Sequence, residues 1–368
     1  MSRTKGSLRA AKGHGRESAA GRGRTGPLQD FGIGWTRIRV VPSAFVQIDW
    51  FLTKNTMTTK DNSKLLCPAR TETCEGPAIA NRIVYQVGNI SFGVTSSDNL
   101  RLALDPSLLE FASASQECDV EISAEWAANV KLPLERPAFE SGGLWSAFDE
   151  EGGTAFYFCS AYLGEAPYKR AWFNHEYTRG RVQLLKRYFD PDLPVYPLEY
   201  PLDELLMIHR LARGEGAEIH ACGLVSADGK GRLFVGHSGA GKSTTSRLWL
   251  RQPGARVLSD DRIILRIRNE EPVMYGTPWH GDAGLAAQAS APVHQIFLLE
   301  HGGGNEIVPL GPSRGAAELF ARTFVPYHSS SGLAHTLAFL EKLTAHVPVA
   351  VFRFKPDASA IKEILRAA

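Results

Sequence analysis

The chain has 368 residues and a formal net charge of +2, with 22% charged and 43% hydrophobic residues. That balance is typical of a globular protein with room for two cored domains, and it excludes a chain that is polybasic or polyacidic throughout. No apolar run reaches the roughly 18 residues that a membrane-spanning helix needs.

Basicity is confined to the start. Met1 to Pro27 carries Arg3, Lys5, Arg9, Lys12, Arg16, Arg22 and Arg24 against Glu17, among Gly, Ser and Ala with almost nothing to bury. This composition predicts a disordered tail. Without aromatic interleaving or a recognisable module, the charge does not make a nucleic-acid site. Gly32 to Leu52 is more apolar, but Pro42 and Asp49 interrupt it and no small-residue cleavage site follows, so it does not read as a signal peptide. Met57-Thr58-Thr59-Lys60-Asp61 would serve as an ordinary amino terminus. Residues 1–56 therefore read as a basic tail or as a misassigned start. The cysteines, Cys67, Cys74, Cys118, Cys159 and Cys222, are odd in number and lack C-x-x-C spacing, which predicts reduced thiols and a cytoplasmic protein.

Residues 57–189 read as a small β-rich domain. Ile83–Val87, Ile90–Val94, Asp119–Ser123 and Ala155–Cys159 are β-branched or aromatic, several with period-two alternation, and Gly88-Asn89 and Gly152-Gly153 punctuate them. Tyr168, Trp172, Phe173, His175 and Tyr177, near Arg170 and Arg179, read either as that domain's core or as a peptide-docking surface. Four prolines between Asp190 and Pro201 forbid regular structure and mark 190–201 as a linker. A helix is predicted from Leu202 to Arg213, stopped by Gly214. Strands over Ala217–Ser226 and Gly231–Val235 should then flank an Asp228-Gly229 turn.

The most specific signal follows. Gly236-His237-Ser238-Gly239-Ala240-Gly241-Lys242-Ser243-Thr244 completes G-x-x-x-x-G-K-[ST] between a predicted strand and a predicted helix, the context a phosphate-binding loop requires. Its glycines let successive N–H groups converge on phosphate, and the helix N-terminus adds positive potential. Lys242 would reach the β- and γ-phosphates of ATP, and the Ser243 hydroxyl would ligate Mg²⁺. Arg256–Ser259 reads as a strand running into Asp260-Asp261, where the second metal-side carboxylate belongs. If strand alternation continues through the pair, one carboxylate serves the metal and the other takes a proton from a hydroxyl. Further on, Pro278 and Trp279 offer an apolar wall, while His280 and Asp282 offer a proton carrier or outer metal ligand. The remainder alternates: a strand over Val293–Glu300, helices from Pro312 to Arg322 and Leu333 to Thr344, a strand over Val347–Phe354, and a helix capped by Asp357. The fold class is thus α/β, a P-loop open mixed sheet flanked by helices over 202–368, preceded by the β-rich domain.

Ile219-His220-Ala221-Cys222-Gly223, the loop with its Ser238-Gly239, and Ser259-Asp260-Asp261 stand in the order found in the bacterial HPr kinase/phosphorylase catalytic domain, a relative of ATP-dependent phosphoenolpyruvate carboxykinase, and this chain resembles that family from His220 to Arg262. The resemblance implies that His220 lies near the phosphates and that Asp260 and Asp261 divide the roles of base and metal ligand, in an order left open. The Glu-Ile-Arg-Gly-Leu-Gly-like signature of HPr kinases is missing. In its place, Tyr275 to Asp282 looks like the HPr-kinase-related proteins, some of which phosphorylate lasso-peptide precursors. The expected function is ATP- and Mg²⁺-dependent transfer to a serine or threonine hydroxyl of an HPr-like protein or a precursor peptide. The alternatives are a small-molecule hydroxyl kinase and a non-catalytic nucleotide sensor. A homo-oligomer is left open.

Overall fold

The computed structural model describes residues 80–97 and 99–367. The expectations for residues 1–56, for Cys67 and Cys74 and for the beginning of the β-rich domain lie outside the described residues. All described residues belong to one compact unit. No helix among them is long and apolar enough to cross a membrane.

The first module is a sheet of β1 (Arg82–Val87), β2 (Ile90–Ser96), β3 (Val120–Ala127), β4 (Phe139–Glu140), β5 (Trp145–Glu150), β6 (Gly153–Ser160), β7 (Gly164–Asn174) and β8 (Arg179–Leu185). Their order is β1-β2-β3-β8-β7-β6-β5-β4, parallel only at β2–β3 and β3–β8. Alternation in β1 sends Ile83, Tyr85 and Val87 inward. The β1–β2 hairpin closes on Gly88 and Asn89, both at positive φ, as a two-residue turn matched to strand twist requires. The aromatic run after Tyr168 is core: Phe173 and Tyr177 are buried and Tyr168 packs against them, while Trp172 packs on the opposite face.

The segment 190–201 forms neither helix nor named strand, as its prolines dictate. It is nonetheless packed. Val195 bridges to Leu102, Leu198 is fully buried, and Glu199 accepts a hydrogen bond at 3.0 Å from the Nζ of Lys169, a fully buried lysine on β7. One continuous core runs from the first sheet through Tyr196 and Leu198 to the following helix, and on to Ile264 and Trp279. The segment is therefore a change of architecture inside one body.

After it come α1 (Leu202–Leu211), β9 (Ala217–Val225), β10 (Gly231–Val235), α2 (Lys242–Leu250), β11 (Arg256–Ser259), β12 (Arg262–Arg268), β13 (Glu271–Gly276), β14 (Ser290–His301), β15 (Glu306–Leu310), α3 (Pro312–Phe320), β16 (Thr323–Phe324), α4 (Ser330–His346), β17 (Val349–Phe354) and α5 (Ala358–Arg366). This is a mixed sheet flanked by helices: α3 and α4 cover one face, and α2 and α5 the other. The order is β10-β9-β12-β13-β14-β17-β15, and β14 also pairs in parallel with β10. The β12–β13 hairpin, turning on Asn269 and Glu270 at positive φ, and β15 were not anticipated.

Lys169 gives the first test. Glu199 is 41% exposed on its side chain, so Lys169→Met leaves a carboxylate that water can solvate. Glu199→Ala leaves a buried ammonium without its carboxylate, which costs up to about 3–5 kcal/mol. In urea unfolding, Glu199→Ala is expected to lower the midpoint strongly and Lys169→Met to change it little. Equal losses would show that segment 190–201 is not held by this pair.

Candidate functional site

The site is built where β10 ends. The buried run Leu233-Phe234-Val235 is fixed between β9 and β14, so the chain leaves the sheet at Gly236 in a set direction and returns as α2. Gly239 and Gly241 have φ of 80° and 104°, in the region that side chains disfavour. A Cβ on Gly241 would also meet the Phe354 ring at 2.6 Å. Lys242 is buried, and its Nζ donates to the carbonyls of Gly236 at 2.9 Å and His237 at 3.1 Å. Burial lowers its pKa to about 8, against the opposing pull of Asp261.

The two aspartates separate, for a different reason from the one expected. They do not lie in a strand: both occupy the bend between β11 and β12, so strand alternation does not apply to them. Asp260 is 1% exposed and is not among the residues that line the cavity beside the loop. Its Oδ1 accepts from the N–H groups of Gly281 at 3.0 Å and Leu285 at 3.3 Å, and its Oδ2 from that of Ala283 at 2.9 Å. Asp261 turns toward Lys242 and Ser243 and lines the same cavity. Its Oδ1 accepts from His220 Nε2 at 3.0 Å, and Arg262 donates to its Oδ2. Burial pushes the Asp261 carboxyl up, but the His220 hydrogen bond and the Arg262 charge outweigh it and hold the group well below the usual carboxylate range. Burial likewise lowers the pKa of His220, with the Asp261 bond resisting.

His220, Ser238, Gly239, Gly241, Lys242, Ser243, Thr244, Asp261, Gly281 and Asp282 thus surround one cavity of ≈ 230 Å³. Asp282 is exposed there, carried between the two N–H groups, of Gly281 and Ala283, that Asp260 holds. The rest of its block goes elsewhere. Trp279 is 8% exposed and packs into the core shared with the first module. It is therefore no wall for a peptide, because the β-rich module occupies that side. The Nδ1 of His280 lies 3.0 Å from the Gly281 carbonyl. His237 is exposed on the loop and contributes its carbonyl to Lys242.

Two residues carry weight that the sequence reading did not give them. His301, at the end of β14, places Nε2 2.9 Å from the Gly239 carbonyl and so steadies the loop tip. Arg262 fixes Asp261; a basic residue directly after an acidic pair was the available signal. Among the described residues, no three His, Cys, Asp or Glu side chains gather as a metal site on their own. One hydroxyl and one fixed carboxylate across a cavity with a lysine fit Mg²⁺ that arrives with phosphate oxygens, because the nucleotide supplies the remaining ligands.

A family model described as an AAA domain matches residues 232–295, which run from the P-loop strand through Asp260, Asp261 and Asp282 into β14. No curated protein matches the chain. Among solved structures, the Hpr(Ser) kinase/phosphatase from Coxiella burnetii is similar at 17% identity, over 41% of this chain and 88% of that one, with a TM-score of 0.25. The chain contains a P-loop nucleotide-binding domain.

The lysine gives a pH test. An ammonium with a pKa of about 8 loses its proton just above neutrality, so affinity for a fluorescent ATP analogue is expected to fall as pH rises through about 8. Lys242→Arg, which stays charged, should flatten that dependence. For folding the sign is opposite: the unfolded side chain keeps its proton to higher pH, so this group's contribution to stability rises with pH above about 8. Affinity unchanged from pH 7 to 9.5 would show that the charge is not used in binding.

Proposed function

We propose that the chain is an ATP- and Mg²⁺-dependent kinase that transfers the γ-phosphate to a serine or threonine hydroxyl of a protein or peptide. The observation that carries this reading is the cavity shared by Lys242, Ser243, Asp261 and the exposed Asp282. A loop that only senses nucleotide has no use for a second carboxylate at its mouth. ATP supplies the phosphoryl group, and Mg²⁺ neutralises charge on its oxygens.

The residues then divide the work. Lys242 neutralises charge building on the phosphate oxygens, and the backbone N–H groups of the loop orient them. Ser243 and Asp261 hold the metal side; Asp261 suits that position because His220 and Arg262 pin both of its oxygens. Asp282 accepts the proton of the acceptor hydroxyl. Asp260 positions Asp282 through the flanking backbone, so the earlier pairing of base and metal ligand moves from Asp260/Asp261 to Asp282/Asp261. HPr-like proteins and biosynthetic precursor peptides are the acceptors in view, in a cytoplasm that keeps the free Cys118, Cys159 and Cys222 reduced.

Lys242→Ala and Ser243→Ala are expected to abolish ATP-dependent transfer, the serine variant without shifting the thermal melt. Asp282→Asn should lower turnover by about 10²–10⁴-fold, the loss of a general base, with nucleotide binding intact. Asp261→Asn should instead raise the Mg²⁺ concentration required. Incubation with labelled ATP and, in parallel, HPr, a precursor peptide and free serine, read by mass spectrometry, tests the acceptor. Labelling of free serine alone would overturn the peptide reading, and full activity of Lys242→Ala would overturn the site itself.

A further inference from the structure

A second cavity lies between the modules. It has a volume of ≈ 60 Å³ and is walled by Phe139 and Trp145 of the first sheet, Leu205 and Ile208 of α1, and Phe324 and Tyr327. A single water needs roughly 10–15 Å³ measured in this way, so the space matches a branched aliphatic or single-ring group. Its rings are ordered: Phe139 stacks on Trp145 at 5.1 Å between centroids and on Tyr327 at 6.5 Å. Tyr327 keeps 37% of its surface exposed, so the cavity reaches solvent at that side.

Its chemistry is selective. No Asp, Glu, Lys or Arg is among the lining residues. The polar groups around it are mostly committed. Ser141 Oγ donates to the Trp145 carbonyl and accepts from the Trp145 N–H, both at 3.0 Å. His209 Nδ1 donates to the Leu205 carbonyl at 2.7 Å, which leaves its Nε2 as the acceptor for His328 Nε2 at 3.4 Å. The exception is the indole N–H of Trp145, buried without a partner.

The cavity is also one ring away from the phosphate site. Phe324 forms part of its wall, lies 6.1 Å from the His220 ring, and has the Arg262 guanidinium 4.7 Å from its centroid. The segment is held there by backbone: the His220 N–H donates to the Arg322 carbonyl at 2.9 Å, and Phe324 pairs with Glu218.

We propose that this cavity is the specificity pocket for the phosphoacceptor and takes an uncharged aromatic or branched aliphatic side chain a few residues from the phosphorylated hydroxyl. The proposal rests on the peptide-kinase reading above. With an extended chain rising about 3.3 Å per residue, a side chain two to four residues from the hydroxyl spans the thickness of Phe324 and its surroundings.

Two measurements on the full chain test it. In ¹⁹F NMR, the signal of N-acetyl-4-fluorophenylalaninamide is expected to broaden with the wild-type protein and not with Leu144→Trp, which fills the cavity from its rim. Ile208→Phe is the second filling variant, and binding of a fluorescent ATP analogue certifies that each is folded. In the second measurement, a serine-centred peptide library phosphorylated by the wild type should be enriched in Phe, Tyr, Leu or Ile within four positions of the serine, and Leu144→Trp should lose that enrichment. Broadening that survives both filling variants, or labelled peptides without the enrichment, overturns the proposal. A library that takes no label while the probe still binds overturns the peptide-kinase reading, and with it the pocket's role toward an acceptor, but leaves the pocket as an apolar binding site.

Discussion

The buried guanidinium of Arg262 is the constraint on which the rest of the site depends. It is 1% exposed, donates to Glu204 on α1 and to Asp261, lies 3.5 Å from Glu218 on β9, and faces the Phe324 ring. A charge placed so deep is tolerated only when it is surrounded by partners, and removing one of them typically costs about 3–5 kcal/mol. Burial first, and then the neighbouring Glu204, push the Glu218 carboxyl well above its usual range, while Arg262 pulls it down. The arrangement sets the position of α1, of β9 and of the carboxylate in the cavity together. A change to any of them reaches the phosphate site through one side chain.

How far the sequence disclosed this depends on the range of the interaction. The phosphate loop was legible because its chemistry is local: glycines at 236, 239 and 241, then Lys242 and Ser243, all act within a few residues of one another. The helix after it and the strands Gly231–Val235 and Arg256–Ser259 followed from the same local logic. The roles of Asp260 and Asp261 were not legible in that way, because they sit in a bend and because Asp260 finds its three N–H donors more than twenty residues away. Trp279 was misplaced for a similar reason. Nothing near it announces that a β-rich module will cover that side and absorb its ring into a core with Leu205 and Leu206.

The proline-rich stretch 190–201 shows the same limit from another side. Proline excludes helix and central strand, so the sequence correctly withheld regular structure there. Absence of regular structure is not looseness. Leu198 is fully buried, and Glu199 neutralises a lysine from the opposite sheet. The consequence for the molecule is that its β-rich half cannot swing freely against the nucleotide-binding half, and a cavity at their seam keeps its shape.

Strand β9 carries one more implication. Residues 217–220 pair with β12, with β16 beside Glu218 and Ile219, and residues 221–225 pair with β10, with β11 beside Gly223 to Val225. A slip by one residue would break the register with all of these strands at once and turn His220 to the other face. A strand so enclosed releases its amide protons to solvent only when the whole domain opens. The backbone around His220 is therefore expected to exchange slowly, which ties the chemistry of the site to a firmly held strand.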